Sequence, residues 1–492
     1  MLHTFSYKLR QNKEKVYSLF VYLILFLSSI SPYSDNDWGW HYKYGEYLIK
    51  YGKILTSDIY SWTLSGYQWI NHSWMYDPLL YILTNLFGLI GLSLIGALIN
   101  LISFYLIVKN YKLSYWKKAI LAGFFISIAE SGIINGFRSQ VLSSMFFAIL
   151  MFILIRSKNR IKVLFLTPIL FFLWANFHGD FTLGLGILGI FLSSYFVINY
   201  YQSKKINPGL LFFYIFTFIS SLLATLINPF TYRVYLESFR HFNNQYLKEI
   251  IEWRPIYQDC SYCHISTFSI YVGILVFCFL YCLVKNKRFA IPFFIVAMIL
   301  VLPTIDTRRL LPIFIIVTLP FLAEVLSNVK VNLSKYRIEN YLVFIVVVIA
   351  LQFNLYNRFN YYHIYNFSEQ DYCNFSSGCS TKAISYLISH PPKGRGFNDY
   401  DVGGYFIGKN IPAKLFIDGR MHLWEYNNYS PFGDYTSIYY YNKLDKFNDY
   451  KFDWAFIRNN TFLANQLLTT SNLGSWKLEF QDDNYDYFVR IK

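Results

Sequence analysis

The chain has 492 residues, 55% of them hydrophobic and only 15% charged, with a formal net charge of +15; this is the composition of an integral membrane protein, not of a disordered chain. The positive charge does not form a nucleic-acid surface, because Lys and Arg fall in short clusters between apolar runs, as in cytoplasmic anchoring loops. Nucleic acid is therefore excluded as a partner and membrane lipid is the expected surrounding. The 45 Tyr and 48 Phe suit membrane interfaces and sugar-binding clefts.

Taken in order, a basic start at Lys8, Arg10, Lys13 and Lys15 leads into the apolar run Val16 to Ile30, with no small-residue cleavage site before Asp35. That run reads as a retained signal-anchor. Directly after it stands Ser34-Asp35-Asn36-Asp37-Trp38-Gly39-Trp40. Two carboxylates at the mouth of a span must be solvated, paired with a cation or used in chemistry, because burying them unpaired costs several kcal/mol. The loop that follows, 33–77, contains amphipathic helix-like pieces at 42–51 and 74–86, expected to lie in the interface on Trp and Tyr anchors.

Runs long enough to cross a hydrocarbon core fall near 16–32, 88–108, 119–134, 141–156, 163–177, 183–200, 209–228, 267–284, 289–304, 310–326 and 341–355. They predict a polytopic α-helical membrane protein of about eleven transmembrane helices. Basic clusters at 8–15, 109–118, 156–162, 204–205, 285–288 and 330–337 mark every second junction as cytoplasmic. The alternate junctions hold Asp35, Asp37, Asp58, Asp77, Asp180, Glu252 and Asp306, which places the acidic chemistry outside. The N-terminus is then cytoplasmic, and an odd number of spans puts the C-terminal segment outside.

From about Tyr356 the pattern becomes polar and globular, so the chain is divided into a transmembrane domain, 1–355, and an extracytoplasmic α/β domain, 356–492. Helices are predicted at 381–389, 437–444 and 462–468, strands at 414–417, 453–457, 477–480 and 487–491, and a hairpin turn at Asp482-Asp483-Asn484. Cys373 with Cys379, and Cys260 with Cys263, suit disulfides in an oxidising compartment, whereas Cys278 and Cys282 lie one helical turn apart in an apolar run. The spacing Cys260-Ser261-Tyr262-Cys263-His264 has no second ligand pair to complete a zinc site.

An acidic pair in a long first outer loop, a multi-span bundle charged at its outer mouth and a C-terminal outer domain together resemble the GT-C superfamily of membrane glycosyltransferases, which includes protein O-mannosyltransferases and lipid A aminoarabinose transferases. The specific match is Asp35-Asn36-Asp37. The segments Trp174-Ala175-Asn176-Phe177-His178-Gly179-Asp180, Asn228-Pro229-Phe230 and Phe416-Ile417-Asp418-Gly419-Arg420 look like those of bacterial membrane proteins grouped with that superfamily. The resemblance implies a sugar donor on a polyprenyl phosphate, a first-loop carboxylate that activates the acceptor hydroxyl, and a bacterial inner (plasma) membrane.

An acceptor hydroxyl needs a carboxylate to take its proton, so Asp37 or Asp35 is the expected base, Asp37 preferred. The other carboxylate would orient the acceptor or share a magnesium or manganese ion, and a helix cap is the plainer reading of either. Arg138, Arg308 and Arg309 are the candidates for the donor phosphate, because the Arg fork suits bidentate contacts; pairing with Asp306, Glu130 or Glu252 is the alternative. His72, Glu130, His178 and Asp180 are candidates for substrate contacts, against plain hydrogen bonding at helix ends. Asp418-Gly419-Arg420 reads first as a turn with an internal ion pair. The function expected is transfer of sugar from a polyprenyl-phosphate donor to a lipid, glycan or protein acceptor on the outer face. The alternatives are an undecaprenyl-diphosphate-dependent glycan polymerase or ligase and a non-enzymatic transporter or assembly scaffold.

Overall fold

The computed structural model describes residues 2–129, 136–244, 246–258, 265–284, 291–329, 341, 344–345, 368–375, 379–472 and 475–491. Glu130, Cys260, Cys263 and most of the run 341–355 lie outside the described residues. The chain divides into two units by its own contacts: 1–31, 93–232 and 251–365 form the first, and 32–92, 233–250 and 366–492 form the second. The loop after the first helix therefore belongs to one unit with the C-terminal segment.

The first unit is helical. It comprises α1 (Leu2–Ser29), the part of α3 (Tyr76–Val108) from Ser93 onward, α4 (Tyr115–Ala129), α5 (Ser139–Ser157), α6 (Thr167–Phe177), α7 (Phe181–Ser203), α8 (Pro208–Thr225), α10 (Ile265–Val284), α11 (Ile291–Asp306) and α12 (Leu311–Asn328). Within the described residues, each predicted run up to 326 overlaps one of these helices. Among the described residues six helices are long and apolar enough to span a membrane, with shorter apolar helices at Ile161–Phe177 and Ile291–Asp306, so the structure supports a multi-span protein without fixing the count at eleven. α5 and α12 form the core: Phe147, Leu150, Phe314, Val317 and Phe321 are fully buried. On α8, Phe212, Ile215, Phe216, Ile219 and Leu223 are exposed, an apolar face suited to lipid and unsuited to water.

The second unit comprises α2 (Trp38–Tyr51), the start of α3 up to Leu92, α9 (Arg233–Asn243), α13 (Glu369–Phe375), α14 (Thr381–Ser389), α15 (Tyr400–Gly408), α16 (Pro431–Tyr439), α17 (Leu444–Asp449), α18 (Phe462–Asn472) and the strands β1 (Gly396–Asn398), β2 (Trp454–Arg458), β3 (Trp476–Gln481) and β4 (Tyr485–Arg490). The sheet order is β1-β2-β4-β3, with β1 parallel to β2 and the other pairs antiparallel. Local chemistry sets several ends. The Ser380 hydroxyl accepts the Ala383 N–H at 3.2 Å and starts α14. Asp482 Oδ1 accepts the N–H groups of Asn484 and Tyr485 and closes the β3–β4 hairpin. Cys373 and Cys379 are joined in a disulfide, and Cys278 and Cys282 are free thiols.

Three local expectations change. The predicted strand 414–417 joins no sheet: the Leu415 N–H donates to Tyr60 O and the Trp62 N–H to Leu415 O, so it pairs with the first loop. The helix predicted at 437–444 instead starts at Pro431, where Ser430 caps it by accepting the Gly433 N–H, and ends at Tyr439. Trp38, Trp40 and Trp69 are buried inside the unit, so they serve as core residues, not interface anchors.

Candidate functional site

Asp37 is the N-cap residue just before α2 and makes no side-chain cap bond; its Oδ1 instead accepts the Trp40 indole N–H at 2.8 Å. Asp35, just before it, is buried: Oδ1 accepts the Asp37 N–H at 3.1 Å, and the Tyr33 hydroxyl lies 3.4 Å from Oδ2. The Tyr372 hydroxyl donates to the Asp35 carbonyl at 2.5 Å. Asp35 thus holds the turn, and Asp37, half-buried, carries its carboxylate at the head of the helix.

Glycines let the backbone close around this turn. A Cβ on Gly404 would stand 2.1 Å from Asn36 O, and one on Gly39 would stand 1.9 Å from Gly404 O, so α2 and α15 approach at backbone distance. At Gly419 an added Cβ would fall 1.7 Å from Asp37 Oδ1. Gly419→Ala is expected to push that carboxylate aside and lower any Asp37-dependent activity on the order of 100-fold, as misplacing a catalytic group by about 1 Å does. An assay comparing Gly419→Ala with wild type at matched folded protein tests this.

Around Gly419 the segment Asp418-Gly419-Arg420 forms a buried ion cluster. Arg420 is forked onto Asp418, Nε to Oδ1 at 2.7 Å and Nη2 to Oδ2 at 2.6 Å, and it also donates to Asp58 Oδ1 at 2.8 Å and to the Tyr44 hydroxyl at 2.7 Å. All three charged side chains are 0% exposed. Burial opposes the Arg420 charge, but Asp418, Tyr44 and Asp58 raise its pKa further. The ion pair expected within the tripeptide is present; its second carboxylate, from the first loop, was not legible.

A second polar group missed in the sequence joins α2 to α3: His41 Nδ1 lies 2.5 Å from Asp77 Oδ1, and Asn71 donates to Asp77 Oδ2 at 2.6 Å. His41 stacks on Trp40, the residue that holds Asp37. Asn71, which is buried, stands beside the candidate His72. His72 itself is half-buried, with its backbone N–H on Ile70 O.

In the helical unit the structure brings Arg138, Arg309 and Glu252 together. Arg138 Nη1 lies 2.6 Å from Glu252 Oε1 and Arg309 Nη1 3.2 Å from Oε2, with Arg309 over the Trp253 ring. Arg308 turns away and donates to the carbonyls of Pro255 and Gln258. His178 is buried, its Nδ1 3.1 Å from Asp180 Oδ2. Burial favours the neutral acid at Asp180, but His178, then Arg309 and the Ser143 hydroxyl, hold its carboxyl well below the ordinary range. Trp174 and Asn176 of the same motif are structural, donating to the Ser143 hydroxyl and to the carbonyls of Phe172 and Ile227.

Burial also opposes the charge on Glu252, yet Arg138 and then Arg309 bring its pKa down to about 2. A depressed carboxylate pKa contributes stability that is present above the unfolded value and is lost as pH falls through the folded one. Wild type is therefore expected to lose stability relative to Glu252→Gln between about pH 4.5, the ordinary glutamate range, and pH 2. Unfolding midpoints of both proteins across that range test it; parallel curves would deny the pairing.

A unit of several apolar helices, together with a second unit that carries the first-loop carboxylate and a four-stranded sheet, is a fold shared with solved membrane proteins. The chain is similar to the oligosaccharyltransferase AglB from Archaeoglobus fulgidus in complex with an inhibitory peptide and a dolichol-phosphate, at 11% identity over 90% of this chain and 69% of that one, TM-score 0.59. An Archaeoglobus fulgidus oligosaccharyltransferase tethered through a disulfide bond to an acceptor peptide containing the NVT sequon superimposes at 13% identity over 90% of this chain and 69% of that one, TM-score 0.57. ArnT from Cupriavidus metallidurans bound to undecaprenyl phosphate superimposes at 12% identity over 97% of this chain and 98% of that one, TM-score 0.54. No family model matches the chain, and no curated protein matches it in sequence.

Proposed function

We propose that this integral membrane protein transfers a sugar from a polyprenyl-phosphate donor to a lipid, glycan or protein acceptor on the outer face of the membrane. The observation that carries the reading is Asp37: a half-buried carboxylate oriented by Trp40 and Gly419 at the head of a helix, in a chain of GT-C fold. Support for the donor class comes from the similar structures, which hold dolichol-phosphate or undecaprenyl phosphate.

In the proposed reaction Asp37 takes the acceptor hydroxyl proton while that oxygen bonds to the anomeric carbon. The bond from that carbon to the phosphate oxygen breaks, and polyprenyl phosphate departs with inversion. Asp35 positions Asp37 through the backbone bond between them. Arg138 and Arg309 receive the phosphate role ahead of Arg308, whose fork is already on backbone carbonyls; the donor phosphate would compete with Glu252 for them. His178 and Asp180 are assigned to sugar or acceptor hydroxyls. Asp37 and, beside it, Asp35 would be the residues to hold a magnesium or manganese ion, which would supply charge neutralisation; Asp35 is buried with its oxygens turned to the Asp37 N–H and the Tyr33 hydroxyl, and no step above depends on the ion.

The test is transfer in membranes supplied with radiolabelled polyprenyl-phosphate sugars. Label moving into an acceptor fraction is expected. Transfer from diphosphate donors alone would overturn the proposed donor in favour of polymerase or ligase chemistry.

A further inference from the structure

The imidazoles of His241, on α9, and His422, in the turn after Arg420, face each other with their Nε2 atoms 3.3 Å apart. Each ring turns its other nitrogen to a backbone carbonyl: His241 Nδ1 lies 2.9 Å from Glu237 O, and His422 Nδ1 lies 2.9 Å from Gly419 O. A carbonyl oxygen only accepts, so both Nδ1 atoms carry the proton, and in the neutral rings both Nε2 atoms present a lone pair to the other. Two facing lone pairs repel unless a proton or a cation stands between them.

The separation favours a cation. Two nitrogens at a zinc–nitrogen distance of about 2.0–2.1 Å, with a tetrahedral angle between them, lie about 3.3 Å apart. The carbonyls behind the rings fix tautomer and ring orientation, as such partners do for metal-bound histidines. The backbone around the pair is tied down as well, since Asn244 donates to the His422 carbonyl at 3.0 Å. The geometry points to a first-row transition-metal site, zinc being the best fit, with Nε2 of His241 and His422 as ligands.

No group of three or more His, Cys, Asp or Glu suited to a metal occurs among the described residues. The ion would therefore keep two positions for water or an oxyanion, and it would be exchangeable. The imidazole pair suits zinc, cobalt or nickel, in contrast to the hard-oxygen pair Asp35 and Asp37. The site does not depend on the transfer reaction.

The test uses the full-length protein in detergent, stripped with chelator, then titrated with zinc(II) by calorimetry and with cobalt(II) by visible absorption. One equivalent is expected, with affinity reduced at least about tenfold in His241→Gln and in His422→Gln and retained in Asp37→Asn. His422→Cys should keep cobalt and gain a thiolate-to-cobalt charge-transfer band, a signature that a merely folded or misfolded protein does not produce. Wild type that takes up neither metal would show that a shared proton bridges the rings and would overturn the site. Binding unchanged in both Gln variants, or bound cobalt without a thiolate band in the Cys variant, would overturn it equally.

Discussion

Asp37→Asn is expected to lower sugar transfer by about 100-fold to 10,000-fold, the range that a positioned general base contributes, while leaving the protein folded. The substitution is nearly isosteric. The Asn amide oxygen can still accept the Trp40 indole N–H, and Asn is as good as Asp at a helix start. What is lost is the capacity to take a proton. Asp35→Asn separates the two roles: Asp35 is buried and bonded to the Asp37 backbone, so its variant should lose part of the rate together with some stability. Rates and thermal midpoints of both variants, measured at matched expression, distinguish base from scaffold. Undiminished transfer by Asp37→Asn would remove it as the base, even if the donor class held.

Much of the helical unit was legible because each span is a long apolar run, and lipid-facing helices need no partner to be recognised. In the second unit the legible parts carry their own signals: Ser380 before 381–389, and the turn Asp482-Asp483-Asn484 between two alternating runs. The helix at Pro431 had such a signal as well, a Ser followed by Pro, but the apolar Tyr run after it drew the expected helix downstream. Long-range pairing left no local trace. Asp58 reaches Arg420 across 362 residues, and His41 meets Asp77 across 36. β1 is three residues long and wholly buried, too short to show a period. Asp37 was named from the sequence, yet its contacts with Trp40 and Gly419 required the fold. The His241–His422 pair was not visible at all, since each histidine stands alone in its segment.

The largest effect on stability is expected at Arg420. It is one cation between two carboxylates, all inaccessible to solvent, and removing one partner of a buried pair costs about 3–5 kcal/mol because the remaining charge is left uncompensated. Arg420→Met should therefore destabilise the second unit by that order, seen as a lowered unfolding midpoint. Arg420→Lys should recover only part of the loss, because a point charge cannot reproduce the fork on Asp418 together with the bonds to Asp58 and Tyr44. The triple variant Asp58→Asn, Asp418→Asn, Arg420→Met should be more stable than Arg420→Met alone, since it removes the stranded charge. A small loss in Arg420→Met, with no recovery in the triple variant, would mean that the cluster does not hold the first loop to the C-terminal segment. Gly419 lies between the paired residues and against Asp37, so loss of the cluster should also loosen the Asp37 carboxylate. The Arg420→Met protein that remains folded should then transfer sugar more slowly than wild type, although Arg420 touches no substrate in the proposed reaction.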